Sequence, residues 1–345
     1  MTPRFLTTEL PLIAAPMAGG ATTPKLAAAA AAAGAFPFLA GGYKTVAALG
    51  AEIAELRAHG SDFGVNLFVP DRAVPGSADG DAAAFAAYAR EIADEAAIYD
   101  IELDPEPRAD DDGWPAKLEL LRADPVEVVS LTFGLPAASD IALLQRAGSA
   151  VLATVTTAAE ARAADEAGVD GLIVQGPRAG GHSATWDPRR AVGDAATIEI
   201  LAAVRSVSQL PLVAAGGVDG PEAVRTLLDG GASAVAVGTL LLRTDEAATA
   251  TTHRDALASE AFPGTVVTRV FTGRPARGLR NGFIERHESH EITAYPAVHH
   301  LTRELRKAAG AAGDADRLHL WAGTGYRSAR AEPVARTLER LARDL

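Results

Sequence analysis

The 345-residue chain reads as an α/β protein of the TIM (β/α)8 barrel type with inserted helical cap segments. Three observations predict this. Short, nearly continuous apolar runs alternate with helix-length segments eight times, the pattern of a parallel sheet covered on both faces. No Gly-x-Gly-x-x-Gly follows the first run, which tells against an open dinucleotide-binding sheet. Glycine-rich stretches fall where the seventh and eighth strands end, where such barrels commonly hold phosphate.

The elements follow in order. Residues 12–18 form the first strand. Thr23-Pro24 supplies an N-cap and a first helical residue, and Gly34 stops that helix before a second strand at 36–40. A helix at 44–59 leads to a strand at 63–68, and strands at 126–133, 150–155, 171–175, 210–215 and 234–242 complete the eight. Thr157 opens a helix that ends at Gly168. Asp219-Gly220-Pro221-Glu222 reads as the capping-box start of a helix ending at Gly230-Gly231.

Two regions depart from the repeat. Residues 69–124 form a long connection with an acidic patch near 104–114 and a helix at 85–99. Residues 266–320 are expected to form a helical, substrate-facing cap, so that 1–265 is the barrel and 321–345 packs a C-terminal helix back on it. Both insertions are expected to roof the barrel mouth, since long structured insertions in such folds are often functional.

Composition narrows the function. Hydrophobic residues make up 48% and charged residues 22%, enough for a large packed core. A net charge of −12 argues against nucleic acid and anionic membranes as partners. The absence of cysteine excludes disulfides, Cys-ligated zinc, iron–sulfur clusters and thiol nucleophiles. The absence of cysteine fits a cytoplasmic location, and a soluble protein is expected, because the N-terminus shows no apolar h-region and the alanine run 27–33 is too short to span a membrane. A small-molecule substrate fits best, with the oligomeric state left open.

The polar and glycine positions cluster at strand ends. Gly216-Gly217 and Gly238-Thr239 close the seventh and eighth strands, where backbone N–H groups can approach a phosphate; tight βα turns are the plain alternative. Strand six ends in Gln175-Gly176 and runs to Gly180-Gly181-His182, leaving room for a flat ligand beside an imidazole. Spacing alone does not separate a reactive His182 from a loop histidine, or a ligand-binding Gln175 from a satisfied core amide. Met17-Ala18-Gly19 after strand one and Asn66 in strand three stand at the same end. His287, His290, His299 and His300 lie in a hydrophilic stretch that reads as a solvated face rather than a metal site, while Tyr295, Arg269 and Lys307 are candidate cap residues facing an anion.

Taken in order, several segments resemble those of the nitronate monooxygenase family, formerly called 2-nitropropane dioxygenases. They include Ala15-Pro16-Met17-Ala18-Gly19-Gly20, Phe63-Gly64-Val65-Asn66-Leu67-Phe68, Phe133-Gly134-Leu135-Pro136 and Gly180-Gly181-His182. Ala214-Ala215-Gly216-Gly217, Val237-Gly238-Thr239, Phe271-Thr272-Gly273-Arg274-Pro275 and Trp321-Ala322-Gly323 continue the match over almost the whole chain. The resemblance implies non-covalent FMN contacted by Met17, Ala18, Gly19, Asn66, Gln175, Gly180, Gly181, Gly216, Gly217, Gly238 and Thr239. It makes His182 the catalytic residue, holding the nitro group or removing an α-proton. It implies oxidation of an alkyl nitronate or nitroalkane, propionate 3-nitronate being typical, by O2 to a carbonyl and nitrite-type products. Arg178 departs from the family by replacing a usual Glu, and Thr132 stands where a number of relatives have a second His. An NAD(P)H-dependent flavin reductase shares these motifs, and a flavin-free barrel isomerase or aldolase and a non-catalytic flavin-binding module are the readings from other classes.

Overall fold

A computed structural model describes residues 3–70, 78–343 and 345. The strands, in chain order, are β1 (Leu12–Ala14), β2 (Phe36–Ala40), β3 (Gly64–Phe68), β4 (Val128–Thr132), β5 (Ala150–Val155), β6 (Gly171–Gln175), β7 (Gly181–His182), β8 (Leu212–Ala215), β9 (Ala234–Val237), β10 (Thr265–Thr268) and β11 (Ala276–Leu279). Strands β1-β2-β3-β4-β5-β6-β8-β9 close a parallel barrel, with β9 returning to β1 in the register Leu12↔Val235. These are the eight strands the sequence predicts, and the TIM barrel is the observed fold.

Alternation along the strands makes two cores. Ile13, Phe36, Phe38, Val128, Leu152 and Val213 fill the barrel interior, where Phe36 and Phe38 meet edge-on at 5.5 Å. Residues between these, such as Leu12, Leu39, Val65 and Val129, face outward onto the helical layer. Both faces of each strand are therefore dry, which is why the strands read as apolar runs rather than as alternation.

Helix punctuation largely follows the sequence. Thr23 caps Pro24–Ala32 by accepting from the Leu26 N–H, and Thr157 caps Ala158–Glu166 by accepting from the Glu160 N–H. The capping box expected at Asp219 is not formed. Pro221 takes the first helical position, so Gly220, which has no side-chain acceptor, becomes the N-cap. The C-terminal helix Val334–Leu341 packs against Pro24–Ala32 and Pro221–Asp229 and buries Val334, Leu338 and Leu341 in the outer core.

The long connection after β3 carries the helices Ala78–Glu91, Ala93–Ala97 and Trp114–Ala123; its residues 71–77 lie outside those described. The stretch after residue 265 holds the helices Gly282–His287 and Ala297–Ala311 and also a β hairpin. Thr-Val-Val-Thr of β10 is β-branched throughout and pairs antiparallel with β11, whose other edge takes β7. That three-stranded sheet ties the cap to the segment carrying His182. No helix among the described residues is long and apolar enough to cross a membrane.

Candidate active site

A cavity of about 370 Å³ opens at the C-terminal ends of the barrel strands. The catalytic and cofactor residues that the resemblance implies all line it: Met17, Ala18, Gly19, Asn66, Gln175, Gly180, Gly181, His182, Gly216, Gly217, Gly238 and Thr239. They come from the ends of β1, β3, β6, β8 and β9, so barrel closure brings together residues scattered over more than half of the chain.

One end of the cavity is built from backbone. Gly216 and Gly217 follow β8 with φ of +101° and +80°, a region that disfavours any side chain. The N–H groups of Gly216, Gly217, Gly238 and Thr239 meet no acceptor among the described residues. Backbone donors left this way need water or a ligand. Gly180 lies against the 322–323 backbone, where a Cβ would come within 2.5 Å of the Gly323 nitrogen. Arg178 borders Gly217, so the reversal of charge at this position sets a cation beside the donor cluster.

His182 stands on the cap side. Its Nε2 is 2.9 Å from the Thr272 Oγ1, and that hydroxyl is 3.2 Å from the Arg274 carbonyl oxygen. Gln175 holds the same turn from the barrel: its Nε2 donates to the His182 carbonyl at 3.2 Å and its Oε1 accepts from the Ala184 N–H at 2.8 Å. Phe133, Trp321 and Tyr295 surround the imidazole with ring centroids at 5.7, 5.7 and 5.8 Å. Burial, helped by the charges of Arg274 and Arg306, lowers the His182 pKa from 6.5 to about 3. The imidazole is thus neutral throughout the physiological range.

Asn66 anchors a polar network across the strand ends. Its Nδ2 reaches the Ser130 carbonyl at 3.2 Å and the hydroxyls of Ser130 and Thr132, both at 2.9 Å. A carbonyl can only accept, so the amide nitrogen is oriented toward β4 and Oδ1 is left for a donor. Thr132, where a number of relatives carry a second histidine, extends this network to Thr154 at 3.3 Å.

Other lining residues were not singled out from the sequence. Tyr43 and Phe133 line the cavity with positive φ, 65° and 82°, backbone states that bulky residues rarely hold. Tyr43 is fixed by its N–H donating to Asp112 Oδ1 at 2.8 Å, and Asp112 pairs with the buried Lys117 at 2.7 Å. Among the described residues of the insertion 69–124 none lines the cavity, contrary to the expected roof; it braces Tyr43 through Asp112 and packs Phe85 and Tyr88 against Phe271 and Val270 of the cap. The glycine pair Gly41-Gly42 at the end of β2 was the available signal for Tyr43, since the same pattern marks the other strand ends. His299 is not on a solvated face but is buried, stacked on Tyr43 at 4.0 Å with the rings 3° apart. His287 is buried too, between Glu91 at 3.0 Å and Glu95 at 3.1 Å. Of the proposed cap residues, Tyr295 borders His182, whereas Arg269 pairs with Glu291 and Lys307 is exposed beside Glu304. Arg306, two turns after His299, lines the cavity in their place.

The family model described as nitronate monooxygenase matches residues 3–344. A probable nitronate monooxygenase of Staphylococcus aureus (strain MSSA476) is 32% identical over 337 residues, covering 96% of this chain and 93% of that protein. The solved nitroalkane oxidase from Streptomyces ansochromogenes shows 45% identity and a TM-score of 0.91, covering 97% of this chain and 95% of that one. FabK from Thermotoga maritima, 23% identical with a TM-score of 0.74 over 99% of this chain and 95% of that one, shares the fold. The chain therefore belongs to the nitronate monooxygenase family and is an enzyme, a flavin oxidoreductase of a family that oxidises nitro compounds.

Proposed function

We propose that the cavity binds FMN and that the enzyme oxidises alkyl nitronates, such as propionate 3-nitronate, with molecular oxygen to a carbonyl compound and nitrite-type products. The observation that carries this reading is the set of backbone N–H groups at Gly216, Gly217, Gly238 and Thr239 that meet no acceptor among the described residues, on residues lining a cavity that also holds the neutral imidazole of His182. Such donors at the ends of the last two barrel strands suit a phosphate, with Arg178 adding charge. Asn66 Oδ1 suits a ring N–H, and Gly180-Gly181 leaves a flat surface for the ring system. When bound, FMN accepts electrons from the substrate and passes them to oxygen.

The state of His182 favours the nitronate over the neutral nitroalkane. A general base works best with a pKa near the operating pH, and one held at about 3 is a poor acceptor for an α-proton. A substrate that arrives already deprotonated needs no base. If the Thr272 hydroxyl donates to Nε2, the proton sits on Nδ1 and can hold a nitro oxygen; if it donates to the Arg274 carbonyl, Nε2–H donates to Thr272 and Nδ1 is left as an acceptor. The aromatic wall of Phe133, Tyr295 and Trp321 excludes water and strengthens that hydrogen bond. Reconstitution with FMN followed by oxygen-electrode assay tests the proposal. One FMN per chain and oxygen uptake on adding propionate 3-nitronate are expected; a protein that takes up no FMN would refute it.

A further inference from the structure

We propose that Arg306 forms an anion subsite on the cap wall of the cavity, built for a planar oxyanion, either a carboxylate or a nitronate. Arg306 is 6% exposed on the helix Ala297–Ala311 and lines the cavity. Its Nε donates to Thr302 Oγ1 at 3.0 Å, and its Nη2 to the His299 carbonyl at 2.9 Å and Nδ1 at 3.2 Å. All three partners are neutral. Nη1 meets no acceptor among the described residues, and none of the ion pairs includes this guanidinium.

The cavity as a whole is selective in charge. The chain carries 44 acidic and 32 basic residues, yet the described lining contains no Asp or Glu and both of its arginines are cationic. Arg178 sits by the backbone donors at Gly217, whereas Arg306 comes from the cap, so the two serve different parts of a ligand. A buried charge without a counter-ion is unfavourable, and the structure keeps this one beside a cavity. Burial lowers its pKa only to about 10, so the guanidinium remains charged at neutral pH.

The fork is also held in place. Thr302 donates to the Phe271 carbonyl at 2.6 Å, which leaves its oxygen to receive Nε. His299 is kept neutral by burial and can therefore accept from Nη2. Its ring is clamped by Tyr43, which is itself clamped by Asp112. A guanidinium aligned before its ligand arrives loses little freedom on binding, and its planar geometry matches two oxygens. Arg274, the other buried arginine near His182, lies over the Phe133 ring at 4.0 Å and does not line the cavity.

The proposal rests on the nitronate reading for the identity of the substrate, but the subsite can be probed without turnover. Inorganic nitrate is a planar oxyanion, and its binding to FMN-loaded enzyme can be followed by calorimetry. Replacing Arg306 with Gln is expected to weaken nitrate binding about tenfold to a hundredfold, the range for one charged hydrogen-bonding group. Arg306→Lys should recover part of the loss, and serves as the test if the Gln variant does not fold. KM values then locate the anion. Equal increases for ethylnitronate and propionate 3-nitronate place the reacting nitronate on Arg306; an increase confined to propionate 3-nitronate places its carboxylate there. Unchanged nitrate affinity and unchanged KM in a folded Arg306→Gln variant with full FMN content would overturn the proposal. If the protein fails to take FMN, nitrate titration of the purified protein alone still decides the role of Arg306.

Discussion

His182 Nε2 and Thr272 Oγ1 lie 2.9 Å apart, joining the loop after β6 to the cap across 90 residues of sequence. The contact exists because β7 and β11 pair in the register Ala276↔His182, which sets the chain entering β11 beside the imidazole. Cap and barrel thus meet at the group assigned to the chemistry. Thr272 has two roles in one hydroxyl: it fixes the ring plane, and its own donation to Arg274 or to His182 sets the tautomer.

Replacing His182 with Ala should leave FMN bound while cutting nitronate oxidation about 10²–10⁴-fold, the usual contribution of a positioned donor or acid–base group. The proposed phosphate end of the cavity lies on other residues, Gly216, Gly217, Gly238 and Thr239, whose N–H groups meet no acceptor among the described residues. Steady-state turnover with FMN content measured on the same preparation checks this. Unchanged turnover would remove His182 from the mechanism.

The pH dependence follows from the same residue. With its pKa lowered to about 3, the His182 imidazole does not titrate between pH 5 and 8. The rate on preformed nitronate should therefore show no limb in that window assignable to His182. A limb near pH 6.5 that disappears in a His182→Asn variant would contradict the neutral-imidazole assignment.

Gly217→Asp should expel FMN. The residue has φ of +80°, lines the cavity and has an N–H that meets no acceptor among the described residues, so a carboxylate there adds strain and repels phosphate. Absorbance of the purified variant reads this directly. A yellow Gly217→Asp protein with intact FMN stoichiometry would displace the phosphate from this end.

Acid should destabilise the fold early. Burial lowers His182 to about 3 and His253 to about 4, and holds His299 and His319 lower than usual as well. Unfolded imidazoles protonate as pH falls through 6.5, whereas these do not, so the unfolded state binds more protons. Stability is therefore complete above pH 6.5 and falls toward pH 4, by about 1.4 kcal/mol per histidine per pH unit. Thermal unfolding between pH 8 and 5 should show this decline, and His253→Gln should make it shallower. A melting temperature that does not change across that range would contradict the burial of these groups.

The barrel was legible because its physics is local. Apolar strands covered on both faces, Thr23-Pro24 and Thr157 as helix starts, and glycine pairs at strand ends are all written in short stretches. The lining residues followed because each sits at a strand end that barrel closure brings to one mouth. What stayed hidden depends on distant partners. His299 has hydrophilic neighbours in sequence, and its burial depends on distant partners such as the Tyr43 ring, delivered from the end of β2. The positive φ of Tyr43 and Phe133 has no signature in residue type. Arg306 could not be told from exposed Lys307 without the phase of the helix Ala297–Ala311, which turns one inward and the other to solvent.

Reduction of a flavin bound in this cavity by an alkyl nitronate beside His182 can be read from the anaerobic visible spectrum of the purified protein before and after addition of propionate 3-nitronate. The absorbance of bound oxidised FMN is expected at the start, and its loss on adding nitronate. Bound FMN whose spectrum is untouched by nitronate, yet bleached by NAD(P)H, would contradict it and identify a reductase on the same scaffold.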